Sequence, residues 1–178
     1  MEFRELIEKR QSDRRYLDKP VEEEKIKQCI EAAMLAPSAC NAQPWTFVVI
    51  NEESLLKEVR SAASDGGINR FAYGAKAFVA IVLEKESLMA GMGMVIKDKE
   101  YRLMDIGMAA EHFCLMAAEL GLGTCMIGWF SEKKIKKLLN VPDKKRIPLI
   151  ISVGYPDTKH REKQRKEFSQ ICKFNSYK

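Results

Sequence analysis

The chain has 178 residues, 46% hydrophobic and 31% charged, with a formal net charge of +5. That balance is globular and excludes a disordered or fibrous chain, and no apolar run approaches the ~20 residues that a bilayer-spanning helix needs. The basic excess by itself suits nucleic acid, a phosphorylated ligand or plain solubility.

In chain order, Phe3, Leu6 and Ile7 recur at i, i+3 and i+4 and predict a short opening helix. A polar run, residues 10–15, ends it. Pro20 predicts the first turn of a second helix, with Ile26, Ile30, Ala33 and Met34 as its buried stripe and Pro37 as its stop. Residues 36–44 read as a loop with a proline near each end, and Trp45–Ile50 as a strand. Asn51 is placed to cap a third helix that buries Leu55, Leu56 and Val59. Residues 64–75 carry Gly66, Gly67, Asn69 and Gly74 and read as an irregular loop. Ala77–Leu83 is apolar on both faces, as a central strand is. In residues 86–99, Gly91 and Gly93 argue against a stable helix.

The strongest helix covers residues 101–120. Leu103, Met104, Met108, Ala109, Phe113, Met116, Ala117 and Leu120 wrap most of its circumference, so it belongs deep in the core or at a subunit interface. Gly121 suits its C-terminal cap. A strand over 124–130, a short helix capped by Ser131 that buries Ile135, Leu138 and Leu139, and a strand over 148–153 follow. The tail is basic and then modestly apolar, with Phe168, Ile171 and Phe174. Helices precede any strand, so the pattern is no βαβ repeat. Without internal repeat or linker, residues 1–178 read as one α+β domain, a sheet of about four strands covered by helices.

Several chemistries are absent. No GxGxxG follows a strand and no GxxxxGK[ST] occurs. His112 and His160 are the two histidines and have no partner at metal-ligand spacing; His112 reads as a satisfied helical residue. Cys29, Cys40, Cys114, Cys125 and Cys172 are odd in number and lack CxxC spacing. Most are expected to be buried thiols in a cytoplasmic protein. No Ser/His/Asp set assembles, so any catalysis here is expected to come from a cofactor.

Four constellations remain. Arg10, Ser12 and Arg14 alternate, and in an extended segment they share one side. Two guanidiniums and a hydroxyl suit a phosphate; the alternative is a solvated basic turn. Residues 37–45, Pro-Ser-Ala-Cys-Asn-Ala-Gln-Pro-Trp, set short amides between stiff prolines, as recognition of a heteroaromatic edge requires, or simply connect helix to strand. In residues 121–129, Gly121 and Gly123 read as a helix end, while Gly128 interrupts a strand as it does where a ligand comes close. Arg161, Lys163, Arg165 and Lys166 make the tail basic.

Together, and in this order along nearly the whole chain, these motifs resemble the nitroreductase family of flavoproteins. Arg10-Gln-Ser-Asp-Arg14, followed by Asp18-Lys-Pro20, is similar to its Arg-x-Ser-x-Arg start. Ala36-Pro-Ser-x-x-Asn-x-Gln-Pro-Trp45 is similar to its most specific internal motif. Asp105-x-Gly-x-Ala-Ala110 with Glu119-Leu-Gly-Leu-Gly123 resembles its long dimer helix, and Gly154-Tyr-Pro156 with Lys163-x-Arg165 its close.

The resemblance implies a central, mostly antiparallel sheet covered by helices in an interlocked homodimer, with FMN at the interface. It implies ping-pong hydride transfer from NAD(P)H to a nitroaromatic, quinone, flavin or similar small acceptor. Arg10, Gln11, Ser12 and Arg14 would line one side of the flavin, with Lys163 and Arg165 closing on the phosphate. Arg14 would lie near N1 and C2=O. Asn41, with Gln43 beside it, would meet the pyrimidine edge, and Pro37, Ser38 and Ala39 would supply backbone, from the partner chain. Ile127 and Gly128 would place an N–H by N5. No residue is required as an acid or base; N5 carries the chemistry, and Arg14 and Gly128 assist. Gln11 departs from the basic residue that many relatives carry there. Residues 64–75 and 86–99 are the expected lids. The rival is a flavin store or redox sensor without turnover. Nucleic acid is disfavoured, since the basic residues split between the two ends and lack interleaved aromatics, and no membrane association is expected.

Overall fold

The computed structural model describes residues 1–85 and 99–177; most of the second expected lid, 86–98, lies outside the described residues. Strands β1 (Trp45–Ile50), β2 (Ala77–Leu83), β3 (Gly123–Ile127) and β4 (Arg146–Gly154) form an antiparallel sheet in the order β1-β2-β4-β3. The double-sided apolarity of β2 has its reason in that order: the strand lies between β1 and β4 and has a helical layer on each face.

Alternation along β2 divides the core in two. Ala77, Val79 and Ile81 pack with α2 (Glu23–Met34) and α4 (Tyr101–Glu119) through Ile26, Cys29, Ala33, Ala109, Phe113 and Ala117. Phe78, Ala80 and Val82 pack with α3 (Glu53–Ser64) and α5 (Glu132–Leu138) through Leu56, Val59 and Ile135. Burial of each large apolar side chain contributes about 1.5–3 kcal/mol. Helix α4 closes in a Schellman arrangement. The Leu122 N–H donates to the Ala117 carbonyl at 2.8 Å and the Gly121 N–H to the Ala118 carbonyl at 3.2 Å. Gly121 has φ of +77°, the left-handed conformation expected of that cap. Among the described residues, no helix is long and apolar enough to cross a membrane.

Several elements differ from the sequence expectation. Helix α2 starts at Glu23, because Pro20 lies in an extended approach that ends at Glu22. Its buried stripe takes Cys29 and leaves Met34, in the last turn, 56% exposed. Helix α3 is capped at Glu52 instead of Asn51, without a side-chain bond. Helix α1 (Phe3–Lys9) buries nothing. The 64–75 loop contains two 3-10 turns, Asp65–Gly67 and Arg70–Gly74. Strand β3 ends at Ile127, so Gly128 follows the strand and does not interrupt it. Strand β4 begins at Arg146; Pro148 falls in the register shift opposite Ile81 and Leu83, where a bulge tolerates a residue lacking an N–H.

Candidate functional site

Residues 10–17 form an extended strap over the sheet edge. The Asp13 N–H donates to the Thr124 carbonyl and the Leu17 N–H to the Tyr155 carbonyl, both at 2.8 Å, and Asp157 N–H returns a bond to Arg15 at 2.9 Å. Ser12 bridges Thr124 in parallel, and Tyr16 bridges Pro156. The strap thus pairs the otherwise open side of β3.

Its two sides have different tasks. Asp13 points inward and is 5% exposed. Its Oδ1 accepts from Gln11 Nε2 and Thr158 Oγ1, each at 2.8 Å. Tyr16 OH donates to the Asp13 carbonyl at 2.8 Å, which leaves its oxygen to accept from Ser152 Oγ at 2.9 Å. Burial raises the Tyr16 pKa, so the phenol stays protonated. Two facing glycines admit these side chains. A Cβ on Gly123 would stand 2.8 Å from Asp13 Oδ2, and one on Gly154 would stand 2.7 Å from the Tyr16 ring. Gly123 therefore does more than end a helix.

On the outer side, Arg10, Ser12 and Arg14 line an open groove of about 520 Å³ together with Arg161, Lys163 and Arg165. The alternation read from the sequence is realised. Lys163 Nζ donates to the Arg10 carbonyl, and Arg161 Nη2 to the Ser12 carbonyl at 2.7 Å. Gln11 also borders the groove, but its amide ties Asp13 to the tail: its Oε1 accepts from Arg161 N–H at 3.1 Å. Arg10 Nε is buried and meets Glu111 Oε1 at 3.3 Å, as an ion pair without hydrogen-bond alignment. The Lys163 pKa is lowered, first by partial burial and then by the Arg10 and Arg165 guanidiniums, with Glu111 opposing. Like charges crowd here, as they do in a site preorganised for an anion.

Residues 37–43 form a second, separate feature. Asp105, 3% exposed on α4, accepts the Ala39 N–H with both oxygens, at 3.2 and 3.3 Å. Ser38 Oγ accepts the Gln43 N–H at 3.0 Å, and Gln43 Nε2 donates to Asn41 Oδ1 at 3.2 Å. Cys40, Asn41 and Gln43 have φ of 53°, 52° and 45°, left-handed positions broken by right-handed Ala42, and the Asn41 and Gln43 amides are exposed. Neither Pro37, Ser38, Ala39, Asn41 and Gln43 nor Ile127 and Gly128 line the basic groove. Ile127 is buried, and a Cβ built on exposed Gly128 meets nothing within 4 Å. Asp105→Ala removes the acceptor of the Ala39 N–H and is expected to cost about 1–3 kcal/mol, read as a lower midpoint in urea; an unchanged midpoint would show that Asp105 does not hold the loop.

Activated thiols are not part of this site. Burial pushes Cys29 and Cys114 up to about 12, and raises Cys125 despite Arg14 and Ser12 beside it. Cys40 is exposed and Cys172 half-buried, so three of the five cysteines follow the buried reading. His112 Nδ1 lies 3.3 Å from the Ala32 carbonyl, a structural contact. Sequence reasoning missed Asp13 and Tyr16; the period-2 alternation that grouped Arg10, Ser12 and Arg14 puts Asp13 on the opposite side, whereas Tyr16 shares their parity and turns in at the end of the strap, where alternation gives no signal.

A helix-covered antiparallel sheet with a basic groove along its strapped edge defines an α+β protein whose groove has the charge that suits an anionic ligand. The chain belongs to the Nitroreductase family, whose model matches residues 7–155. It is 30% identical over 155 residues to a protein of Archaeoglobus fulgidus that carries the provisional name NADH dehydrogenase/NAD(P)H nitroreductase, covering 85% of this chain and 83% of that one. Among solved structures, it is similar to an FMN-dependent nitroreductase from Clostridium difficile R20291, with 28% identity, a TM-score of 0.79 and coverage of 97% and 98%. A nitroreductase family protein from Clostridium novyi NT shares 30% identity at a TM-score of 0.76, covering 88% of this chain and 86% of that one.

Proposed function

We propose that residues 1–178 act as one FMN-binding domain of a cytoplasmic homodimeric oxidoreductase. It takes electrons from NAD(P)H and passes them, in a ping-pong cycle, to a small acceptor such as a nitroaromatic, a quinone or a flavin. The observation that carries this reading is the basic groove of Arg10, Ser12, Arg14, Lys163 and Arg165 in a chain of the Nitroreductase family.

The groove fits the phosphorylated end of FMN. Arg10 Nε lacks an aligned partner and Lys163 sits among cations that depress its pKa; a phosphate relieves both. When bound, FMN supplies a ring that accepts a hydride from one substrate and yields it to the next. The chain's own residues bind and orient. Arg10, Lys163 and Arg165 hold the phosphate and Ser12 the adjoining hydroxyls, with Gln11 lining the same side. Arg14 sets a cation, and the Gly128 backbone after Ile127 an N–H, where negative charge gathers on reduction. Asn41 and Gln43 offer amides to the ring's polar edge, and Pro37, Ser38 and Ala39 offer backbone.

The separation of the 37–43 loop from the groove favours a site completed by a second copy. Leu103, Met104 and Met108 on α4 are 46%, 53% and 38% exposed, and Phe168, Ile171 and Phe174 in the tail 66–78%. That much uncovered apolar surface fits a homodimer.

An absorption spectrum of the purified protein, repeated after anaerobic addition of NADH or NADPH, tests the proposal. The expected result is a flavin spectrum that bleaches. A flavin spectrum that persists would point to a store or redox sensor. No flavin, even after incubation with FMN, would overturn the reading.

A further inference from the structure

One turn reaches both elements that the proposed function sets at the reactive edge. Asn69, which caps the Arg70–Gly74 turn, donates from Nδ2 to the Trp129 carbonyl at 2.6 Å and to the Ala63 carbonyl at 3.2 Å. The β3 ladder ends at the Ile127–Ile150 pair, so Gly128 stands between that last rung and the carbonyl held by Asn69. Farther on, the Ser131 N–H is fixed to the Ala62 carbonyl at 3.0 Å. The path of the Gly128 peptide is therefore held at both ends. Two residues after Asn69, the Phe71 ring centroid lies 5.7 Å from Arg14 Cζ. Phe71 is half-buried against the α3–α5 side of the core, so the ring is backed by packing. A cation over an aromatic face is attracted by the ring quadrupole, which adds to the restraint that Cys125 places on the exposed Arg14.

The geometry points to Asn69 and Phe71 as positioning residues that aim the Gly128 amide and the Arg14 guanidinium at the electron-accepting edge of the cofactor. This rests on the proposed FMN site. Donors held in place before charge develops stabilise that charge more than donors that must reorganise. Loosening either one therefore weakens binding of reduced cofactor more than binding of oxidised cofactor. The turn was expected from sequence only as a lid; its contacts reach Trp129 and Arg14.

The test uses the full chain loaded with FMN, comparing wild type with Asn69→Ala, Phe71→Leu and Phe71→Tyr. Fluorescence titration gives the Kd of oxidised FMN, and an anaerobic titration against a reference dye gives the midpoint potential. Asn69→Ala and Phe71→Leu are expected to leave oxidised-FMN Kd within about twofold. Each should reduce the preference for reduced over oxidised FMN by about three- to tenfold, a negative shift approaching ~30 mV at tenfold for two electrons. Phe71→Tyr keeps the ring face and should restore the wild-type potential. If Asn69→Ala does not fold, the Phe71 pair decides alone, since leucine keeps the apolar packing. Wild-type potentials in Phe71→Leu and Asn69→Ala, with FMN bound, would overturn this inference and leave the proposed function standing. A wild-type chain that takes up no FMN would overturn both.

Discussion

Lys163→Met is expected to weaken FMN binding by about ten- to a hundredfold, the range of one charge-assisted hydrogen bond of about 1.5–3 kcal/mol. The Lys163 ammonium is aimed at the groove by the Arg10 carbonyl and crowded by Arg10, Arg165 and Arg161. Its pKa in the folded chain is below the ordinary 10.5. Between the lowered value and 10.5 the unfolded chain binds more protons, so this residue's contribution to stability rises with pH through that window. Bound phosphate favours the charged form and has the opposite dependence. FMN affinity should therefore be greatest below the lowered Lys163 pKa and fall as pH rises through it, before the ordinary lysine range. Fluorescence titration of FMN from neutral to alkaline pH reads the affinity, and urea unfolding of the ligand-free chain over the same range reads the stability. Lys163→Met should bind weakly and lack that alkaline limb, while the ligand-free variant melts close to wild type. Undiminished affinity would remove Lys163 from the phosphate site.

Gly154→Ala is expected to destabilise the chain by about 1–3 kcal/mol, as overpacking does, lowering the melting temperature by about 2–12 °C at this size. The new methyl would lie 2.7, 2.9 and 3.0 Å from Cδ1, Cγ and Cβ of Tyr16. A ring anchored through its hydroxyl to the Asp13 carbonyl and Ser152 cannot swing aside cheaply. The strap must shift, and with it Arg10, Ser12 and Arg14, so FMN affinity should fall with stability. A double-mutant cycle with Tyr16→Ala tests the cause: if the ring is the obstacle, the paired loss is smaller than the sum of the single losses. Strict additivity would show that the strap does not depend on this notch.

The sequence was most legible where one local rule decided the outcome. The two-faced apolarity of Ala77–Leu83 marked a central strand, the small and apolar residues of 101–120 marked the long helix, and Gly121 marked its cap. The outer side of the strap was legible because alternation is a backbone property. Boundaries were less so. Pro20 and Asn51 carry valid start signals that neighbouring glutamates supersede, and β3 stops three residues before the expected 130. What stayed hidden was non-local. Nothing near Gly123 or Gly154 in sequence announces that Asp13 or Tyr16 will fill the space above it, and Asp105 gave no hint that its carboxylate would hold the Ala39 loop, 66 residues away.

The groove also sets a timetable for biosynthesis. Its walls, joined by Arg161 to Ser12 and Lys163 to Arg10, lie about 150 residues apart in sequence. At ~5–20 residues per second, translation leaves the first wall waiting roughly 8–30 s for the second. During that interval the strap has neither its tail partners nor, for most of it, the Thr124 edge, and closing so large a loop carries an entropic cost. Arginines at 10, 14 and 15 suit such a wait, because charged strand residues discourage pairing between nascent chains. The same side chains that define the mature groove thus act as gatekeepers against aggregation until the last part of the chain arrives.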